Sequence, residues 1–79
     1  MLYIDNLSSL NEGEKALVRK LCIKGSMRRR LHDIGLIRGT KVCCIQKSPS
    51  GDPTAYMIRG AVIALRNSDA EQIIVELTN

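Results

Sequence analysis

The chain has 79 residues, enough for one domain with a thin core and too few to enclose a deep substrate pocket. With 44% apolar and 25% charged residues, its composition is that of an ordinary globular protein and excludes a disordered tail. The formal net charge of +4 permits attraction to nucleic acid, anionic lipid or an acidic protein surface and selects none of them.

The first residues carry no secretory signal, and no apolar run is long enough to cross a bilayer. The sequence therefore predicts a cytoplasmic protein without direct membrane insertion, organised as a single domain over residues 1–79. Residues 1–10 are interpreted as a lead-in, followed by a turn at Asn11 and Gly13. The next segment, residues 14–23, has a mixed apolar pattern that fits a strand lying across a small barrel, and a helix remains an alternative.

Gly25 and Ser26 interrupt that segment, and a short amphipathic helix is predicted over residues 27–34. Ser26 is expected to be the helix N-cap, because its hydroxyl can accept a hydrogen bond from an unpaired backbone N–H. Gly35 is expected to end the helix in the left-handed conformation, with Leu36 contacting the helix again as part of the same cap. Three residues at i, i+4 and i+7 form the apolar stripe that the helix buries: Met27, Leu31 and Ile34.

The remainder of the chain is predicted to form strands separated by turns. Residues 48–53 form a turn cluster rich in proline and glycine. Gly60 separates two strand-like runs, and its position indicates a bend or bulge at a barrel corner. Ser68 begins a capping box that predicts a helical turn over residues 69–72. The five predicted strands and one inserted helix favour an all-β fold, a small and partly open barrel. The strands cover residues 14–23, 40–47, 54–60, 61–67 and 73–77.

A run of three arginines at positions 28–30 has three interpretations. The first is the solvated face of the helix, in which Arg29 can pair with Asp33 at i+4. The second is a surface that a partner protein contacts. The third is nucleic-acid binding, which is disfavoured because the strand faces lack the aromatic platforms on which bases stack.

Neither nucleotide binding nor catalysis is predicted. Residues 35–41 resemble a phosphate-binding loop, but their two glycines are too close together and the order Thr40-Lys41 is reversed. The single histidine is expected to be exposed and has no third group to orient it beside a nucleophile. Adjacent cysteines on one strand would point to opposite faces and could not bind the same ion. We therefore expect no metal site, and we also expect no cofactor and no enzymatic activity. The metal-ligating residue types considered are Cys22, His32, Cys43 and Cys44.

From Leu7 to the last strand, the sequence resembles the FeoA family, small cytosolic proteins associated with ferrous-iron uptake. The resemblance rests on the stretches 10–18 (LNEGEKALV), 29–42 (RRLHDIGLIRGTKV), 51–53 (GDP) and 58–75 (IRGAVIALRNSDAEQIIV). It implies an SH3-like barrel with an inserted helix, in agreement with the strand count. It also implies an accessory role for FeoB, a membrane transporter of Fe²⁺ with a cytosolic GTP-binding domain. The matching positions are glycines, leucines and arginines, so the resemblance implies no metal site.

The predicted function is a non-enzymatic accessory protein that docks on the FeoB transporter and supports its assembly or tunes its GTP-dependent activity. The alternatives are a small-barrel nucleic-acid-binding protein and a metal-sensing module, and self-association is left open. The candidate partner-binding residues lie in the helix, in the segment after it and in the 48–53 loop: Arg28, Arg29, Arg30, Leu36, Ile37, Arg38, Pro49, Asp52 and Pro53. The residues given a structural role in the motif are Ser26, Met27, Leu31, Ile34, Gly35, Gly39 and Gly60.

Overall fold

The structure, a computed structural model, describes residues 3–78. Within these residues the strands are β1 (Ile4–Asn6), β2 (Lys15–Leu21), β3 (Lys41–Lys47), β4 (Thr54–Ile58), β5 (Ala61–Leu65) and β6 (Ile73–Leu77). The helices are α1 (Gly25–Asp33) and α2 (Asn67–Ala70), and a turn of 3-10 helix, Leu7–Ser9, follows β1. Neither α1 nor α2 is long and apolar enough to cross a membrane.

The strands form one antiparallel sheet in the order β1-β6-β2-β3-β4-β5. Register shifts between Val18 and Lys20 and between Cys44 and Gln46 mark irregularities in β2 and β3. Such bulges bend a strand and increase the local twist. The sheet does not close, because β1 and β5 remain its two edges. The prediction of a small, partly open, all-β barrel is confirmed, with one strand more than the sequence indicated.

Alternate residues of the strands build the core. In β4, Thr54, Tyr56 and Ile58 are buried, whereas the residues between them are half-buried. The Tyr56 hydroxyl donates to the carbonyl oxygen of Leu7 at 3.4 Å. Burial of the ring raises the pKa of Tyr56 to about 12. Apolar side chains from outside the sheet complete the core, among them Leu7, Leu10, Leu31, Leu36 and Ala70.

The amino-terminal third differs most from the prediction. Residues 14–23, for which a helix remained open, contain strand β2, with Ala16 and Val18 buried and alternate residues more exposed. The lead-in assigned to residues 1–10 is wrong in part, because β1 and the 3-10 turn lie within it; its first two residues are outside the described part of the chain. β1 is short and is defined by its pairing with β6, a partner that no local pattern reveals.

Helix α1 covers almost the predicted residues, but it begins differently. Its N-cap is Lys24 and no side chain caps it, so the prediction that Ser26 is the N-cap is wrong. Instead, Nη1 of Arg28 donates to the carbonyl oxygens of Leu21 and Ile23 at 2.8 and 3.4 Å, which ties the first turn of the helix to the end of β2.

The predicted end of α1 is confirmed. Gly35 has a φ of +90°. Its N–H donates to the carbonyl oxygen of His32 at 3.0 Å, and the Leu36 N–H donates to the carbonyl oxygen of Leu31 at 2.8 Å. These two bonds form a Schellman motif, in which the residue after the glycine packs back on the helix. Ile34, predicted to be core, is 36% exposed, because the helix ends before it and the apolar stripe leaves the core there.

Candidate functional site

Two stretches far apart in the sequence meet at the carbonyl group of Gly35. Nε of Arg59 and the hydroxyl of Thr40 each donate to this oxygen at 2.9 Å. A Cβ added to Gly35 would overlap Cδ of Arg59. Two separate constraints therefore require glycine at this position. One is its positive φ, and the other is the arginine side chain that packs against it.

A tight turn, residues 37–40, continues from this junction. The Thr40 N–H donates to the Ile37 carbonyl at 3.0 Å, and the Ile37 N–H donates to the Thr40 hydroxyl at 3.1 Å. The turn is joined to β2 by two backbone hydrogen bonds. The Gly39 N–H donates to the carbonyl oxygen of Val18 at 2.7 Å, and the Val18 N–H donates to the carbonyl oxygen of Thr40 at 2.9 Å. Hydrogen bonds thus fix the backbone from α1 to β3 and leave Ile37 and Arg38 exposed on it.

The turn between β4 and β5 places Arg59. Ile58 pairs with Ala61 across it, and its two central residues, Arg59 and Gly60, have φ values of +48° and +82°. Positive φ at both central positions matches a type I′ turn, whose twist suits an antiparallel hairpin. The two strands predicted on either side of Gly60 are confirmed, but the bend or bulge expected at Gly60 is instead the second central residue of a tight turn.

The 48–53 loop is fastened to the start of α2. The Asp52 carboxylate accepts the backbone N–H of Asn67 at 3.0 Å, and the Asn67 side-chain amide donates to the Gly51 carbonyl at 2.7 Å. The hydroxyl of the buried Thr54 donates to the Asn67 side-chain oxygen at 3.2 Å. The capping box predicted at Ser68 does not form: α2 begins at Asn67 rather than at residue 69, and Asp52 satisfies its first N–H in place of a local cap.

The arginines of α1 divide into two kinds. Arg28 is bound to backbone carbonyls of the preceding segment, as described above. Arg29 and Arg30 are exposed, and in the described residues Arg29 forms no ion pair with Asp33. His32 is exposed, as expected. Leu36, a candidate contact residue, is fully buried and cannot present its side chain to a partner.

A groove of about 230 Å³ separates α1 from β5 and α2. Met27 and Ile34 line its helix side, and Ile63 lines its strand side. Arg30 and Asp69 add opposite charges to the lining. The groove brings α1 next to α2, whose first residue is held by the 48–53 loop. Two of the three predicted contact segments, α1 and this loop, therefore border the same small helix, whereas the segment after α1 does not line the groove.

The cysteines are not arranged as a metal site. Cys22 is exposed, Cys43 is half-buried and Cys44 lies in the core. Burial raises the pKa of the Cys44 thiol, so this sulfur is held as the neutral form. Residues 3–78 contain no group of three His, Cys, Asp or Glu side chains that could hold a metal ion.

Sequence reasoning missed the three side chains that organise this region: Thr40, Arg59 and Asn67. Arg59 carries a signal, since it precedes a glycine in a motif that identifies the family. Asn67 carries none, because its partners lie in a loop more than a dozen residues earlier.

These features define the class of protein: an SH3-like β-barrel with a helix inserted between its first long strands and loops fastened by side-chain hydrogen bonds. FeoA from Stenotrophomonas maltophilia, solved with zinc and described as a prokaryotic SH3 domain protein, has this fold. It is 30% identical, with a TM-score of 0.74, and the match covers 89% of this chain and 87% of that one.

The chain belongs to the FeoA family, whose domain matches residues 6–77. The solution structure of FeoA from Chlorobium tepidum is 35% identical, with a TM-score of 0.89 over 94% of this chain and 70% of that one. A fusion of Fe(2+) transport protein A with the Fe(2+) transporter FeoB, from Porphyromonas gingivalis, is 34% identical over 71 residues. These residues are 90% of this chain, which spans only 8% of the length of the fusion.

Proposed function

We propose that this chain is a non-enzymatic accessory domain of ferrous-iron uptake that docks on the cytosolic portion of a FeoB-type transporter. The observation that carries the proposal is the Porphyromonas gingivalis fusion, in which a region 34% identical to this chain is covalently joined to such a transporter. Covalent linkage makes the second contact intramolecular and raises its effective concentration. A separate chain of the same family would make that contact by diffusion.

The proposed contact surface is the exposed part of α1, of the segment after it and of the 48–53 loop. The exposed side chains of Arg29 and Arg30 extend from α1 and form no ion pair within residues 3–78. Leu36 is removed from this surface by its burial, and Arg28 and Asp52 are engaged in holding the fold. The residues that remain are Arg29, Arg30, Ile37, Arg38, Pro49 and Pro53.

A basic surface of this kind suits an acidic partner surface. Opposite charges accelerate encounter and orient the two proteins more than they tighten the final complex. The rigid backbone between α1 and β3 supports the proposal, because a preorganised loop loses little conformational freedom on binding. The role proposed for the docked domain is to support assembly of the transporter or to tune its GTP-dependent activity from the cytosolic side.

Charge reversal tests this surface. The variant Arg29→Glu/Arg30→Glu is expected to weaken binding to the isolated cytosolic portion of the transporter at least tenfold, because two attractions become repulsions. It is also expected not to restore Fe²⁺ uptake in a strain deleted for this chain, whereas the wild-type chain restores it. Binding is measured by calorimetry with GDP and with a GTP analogue, and uptake with radioactive iron.

The matched control is Lys20→Glu/Lys24→Glu, which changes the net charge equally at two exposed residues outside the proposed surface. It should bind and restore uptake like the wild type. If the wild-type chain does not bind the transporter portion in either nucleotide state, the proposed docking is wrong. If only the arginine variant behaves like the wild type, docking occurs through a different surface.

A further inference from the structure

The outer face of the sheet carries a second surface, which shares only Ile37 and Arg38 with the proposed docking surface. Register places four residues side by side across β2, β3, β4 and β5: Lys15 opposite Cys43, Cys43 opposite Met57, and Met57 opposite Val62. Directly paired residues point to the same side of a sheet. Val18, Cys44, Tyr56 and Ile58 are buried on the other side, so this row faces away from the core.

Positive charge collects around this row. A shallow depression of about 460 Å³ is lined by Lys15, Lys41 and Arg59 together with Cys43 and Met57. Among residues 3–78, its lining includes no aspartate or glutamate. Gly39 also lines it, which places the tight 37–40 turn, with the exposed Arg38, at its border. Two strands and two turns therefore contribute cations to one surface.

Exposed aliphatic side chains accompany these cations. Val62 is 58% exposed, and Met57, its partner across β4 and β5, is half-buried. Ile37, in the 37–40 turn, is 38% exposed. We call Lys15, Arg38, Lys41 and Arg59, together with Ile37, Met57 and Val62, the basic face. Cations mixed with aliphatic residues are characteristic of surfaces that lie at the boundary between lipid headgroups and acyl chains.

We propose that the basic face binds peripherally to an anionic phospholipid surface. Its cations attract the negative headgroups, and the side chains of Ile37 and Val62 enter the headgroup region. An acidic nucleic acid fits less well, because the face presents no aromatic ring on which a base could stack. The proposal is independent of the transporter, although a domain that acts on a membrane protein would be oriented by such a contact.

Vesicle binding tests the proposal with the chain as it exists. The wild-type protein is expected to co-sediment with vesicles of phosphatidylglycerol and phosphatidylethanolamine in 50 mM salt, and not with vesicles of phosphatidylcholine alone. Binding should fall at least tenfold in 500 mM salt, because exposed charges are screened over a few ångströms at that concentration. Arg38→Glu/Lys41→Glu should lower the affinity at least tenfold, and Val62→Gln severalfold.

The matched control is Arg29→Glu/Arg30→Glu, which changes the net charge equally on α1 and should bind vesicles within about twofold of the wild type. Equal losses for the two double variants would show that net charge alone causes binding and would overturn the basic face. Equal binding to phosphatidylcholine would also overturn it. A short DNA duplex that removes the protein from vesicles and binds it more tightly would assign the face to nucleic acid instead. These experiments contain no transporter, so their outcome does not depend on the proposed docking.

Discussion

At the scale of single residues, Gly35 has the most demanding position in the described chain. Its positive φ ends α1, and its carbonyl oxygen receives hydrogen bonds from Arg59 and Thr40. The missing side chain makes room for the arginine that joins the hairpin to the helix end. One residue thus serves local helix capping and the packing of two distant segments.

Gly35→Ala is expected to lower the free energy of unfolding by about 2–4 kcal/mol. The left-handed conformation accounts for about 1–2 kcal/mol of this, and displacement of Arg59 with loss of its hydrogen bond accounts for about 1–2 kcal/mol. Urea unfolding followed by circular dichroism measures the change.

Gly13→Ala is the matched control, because Gly13 has a φ of +88° and nothing lies within 4 Å of an added Cβ. Gly13→Ala should lower the free energy of unfolding only by the cost of placing alanine in the left-handed conformation. In an Arg59→Ala background, Gly35→Ala should fall to the level of this control, which is the coupling that a double-mutant cycle detects. Equal costs for the two glycines in the wild-type background would contradict the role given to Arg59.

At the scale of elements, α2 is held by a loop and not by its own sequence. The Asp52 carboxylate accepts its first N–H, and the Asn67 side chain bridges the Gly51 carbonyl and the Thr54 hydroxyl. The GDP motif therefore has a structural explanation, since it fastens the β3–β4 connection to the short helix before β6. A helix of four residues has too few internal bonds to be stable alone.

Asn67→Ala is expected to destabilise the protein by about 1–3 kcal/mol, because it removes two side-chain hydrogen bonds and leaves the buried Thr54 hydroxyl without its acceptor. Ser68→Ala, at the position of the predicted capping box, should change stability by less than about 0.5 kcal/mol. Thermal unfolding of both variants checks this pair. A larger effect at Ser68 than at Asn67 would restore the local cap as the explanation.

At the scale of the whole molecule, the core responds to alkaline pH through Tyr56. Burial raises its pKa from 10.0 to about 12, because the charged phenolate is unfavourable in the core. The folded state therefore holds this proton more tightly than the unfolded state. The resulting stabilisation is complete below pH 10 and is lost as the pH rises toward 12.

Tyr56→Phe is expected to reduce the loss of stability between pH 9 and 11.5 by about 1–2 kcal/mol, since the variant has no proton to release at this position. Urea unfolding at half-unit steps of pH measures the slope of the unfolding free energy against pH. The variant should match the wild type in slope below pH 8. The same steep alkaline loss in both proteins would exclude Tyr56 and assign the effect to other groups, among them the Cys44 thiol, whose pKa burial also raises.

Sequence alone determined the features that depend on neighbouring residues. The strand-forming runs after α1, the helix stop at Gly35 and the capping contact of Leu36 with the helix were predicted correctly, because each depends on residues close together in the sequence. The family pattern was readable for the same reason. The capping signals at Ser26 and Ser68 failed. The first turn of α1 is instead tied to the end of β2 by Arg28, and the first N–H of α2 is bound by the distant Asp52 carboxylate.

Which side chains meet depends on the path of the chain in three dimensions. Arg59 reaches Gly35 across 24 positions and Asp52 reaches Asn67 across 15, and no period or spacing in the sequence encodes these partners. The pairing of β1 with β6 joins the two ends of the described chain. The same folding path exposed Ile34 and gathered cations from separate strands and turns into the basic face. Local patterns specify elements, whereas the path of the chain specifies surfaces, because a surface is assembled from residues that are distant in sequence.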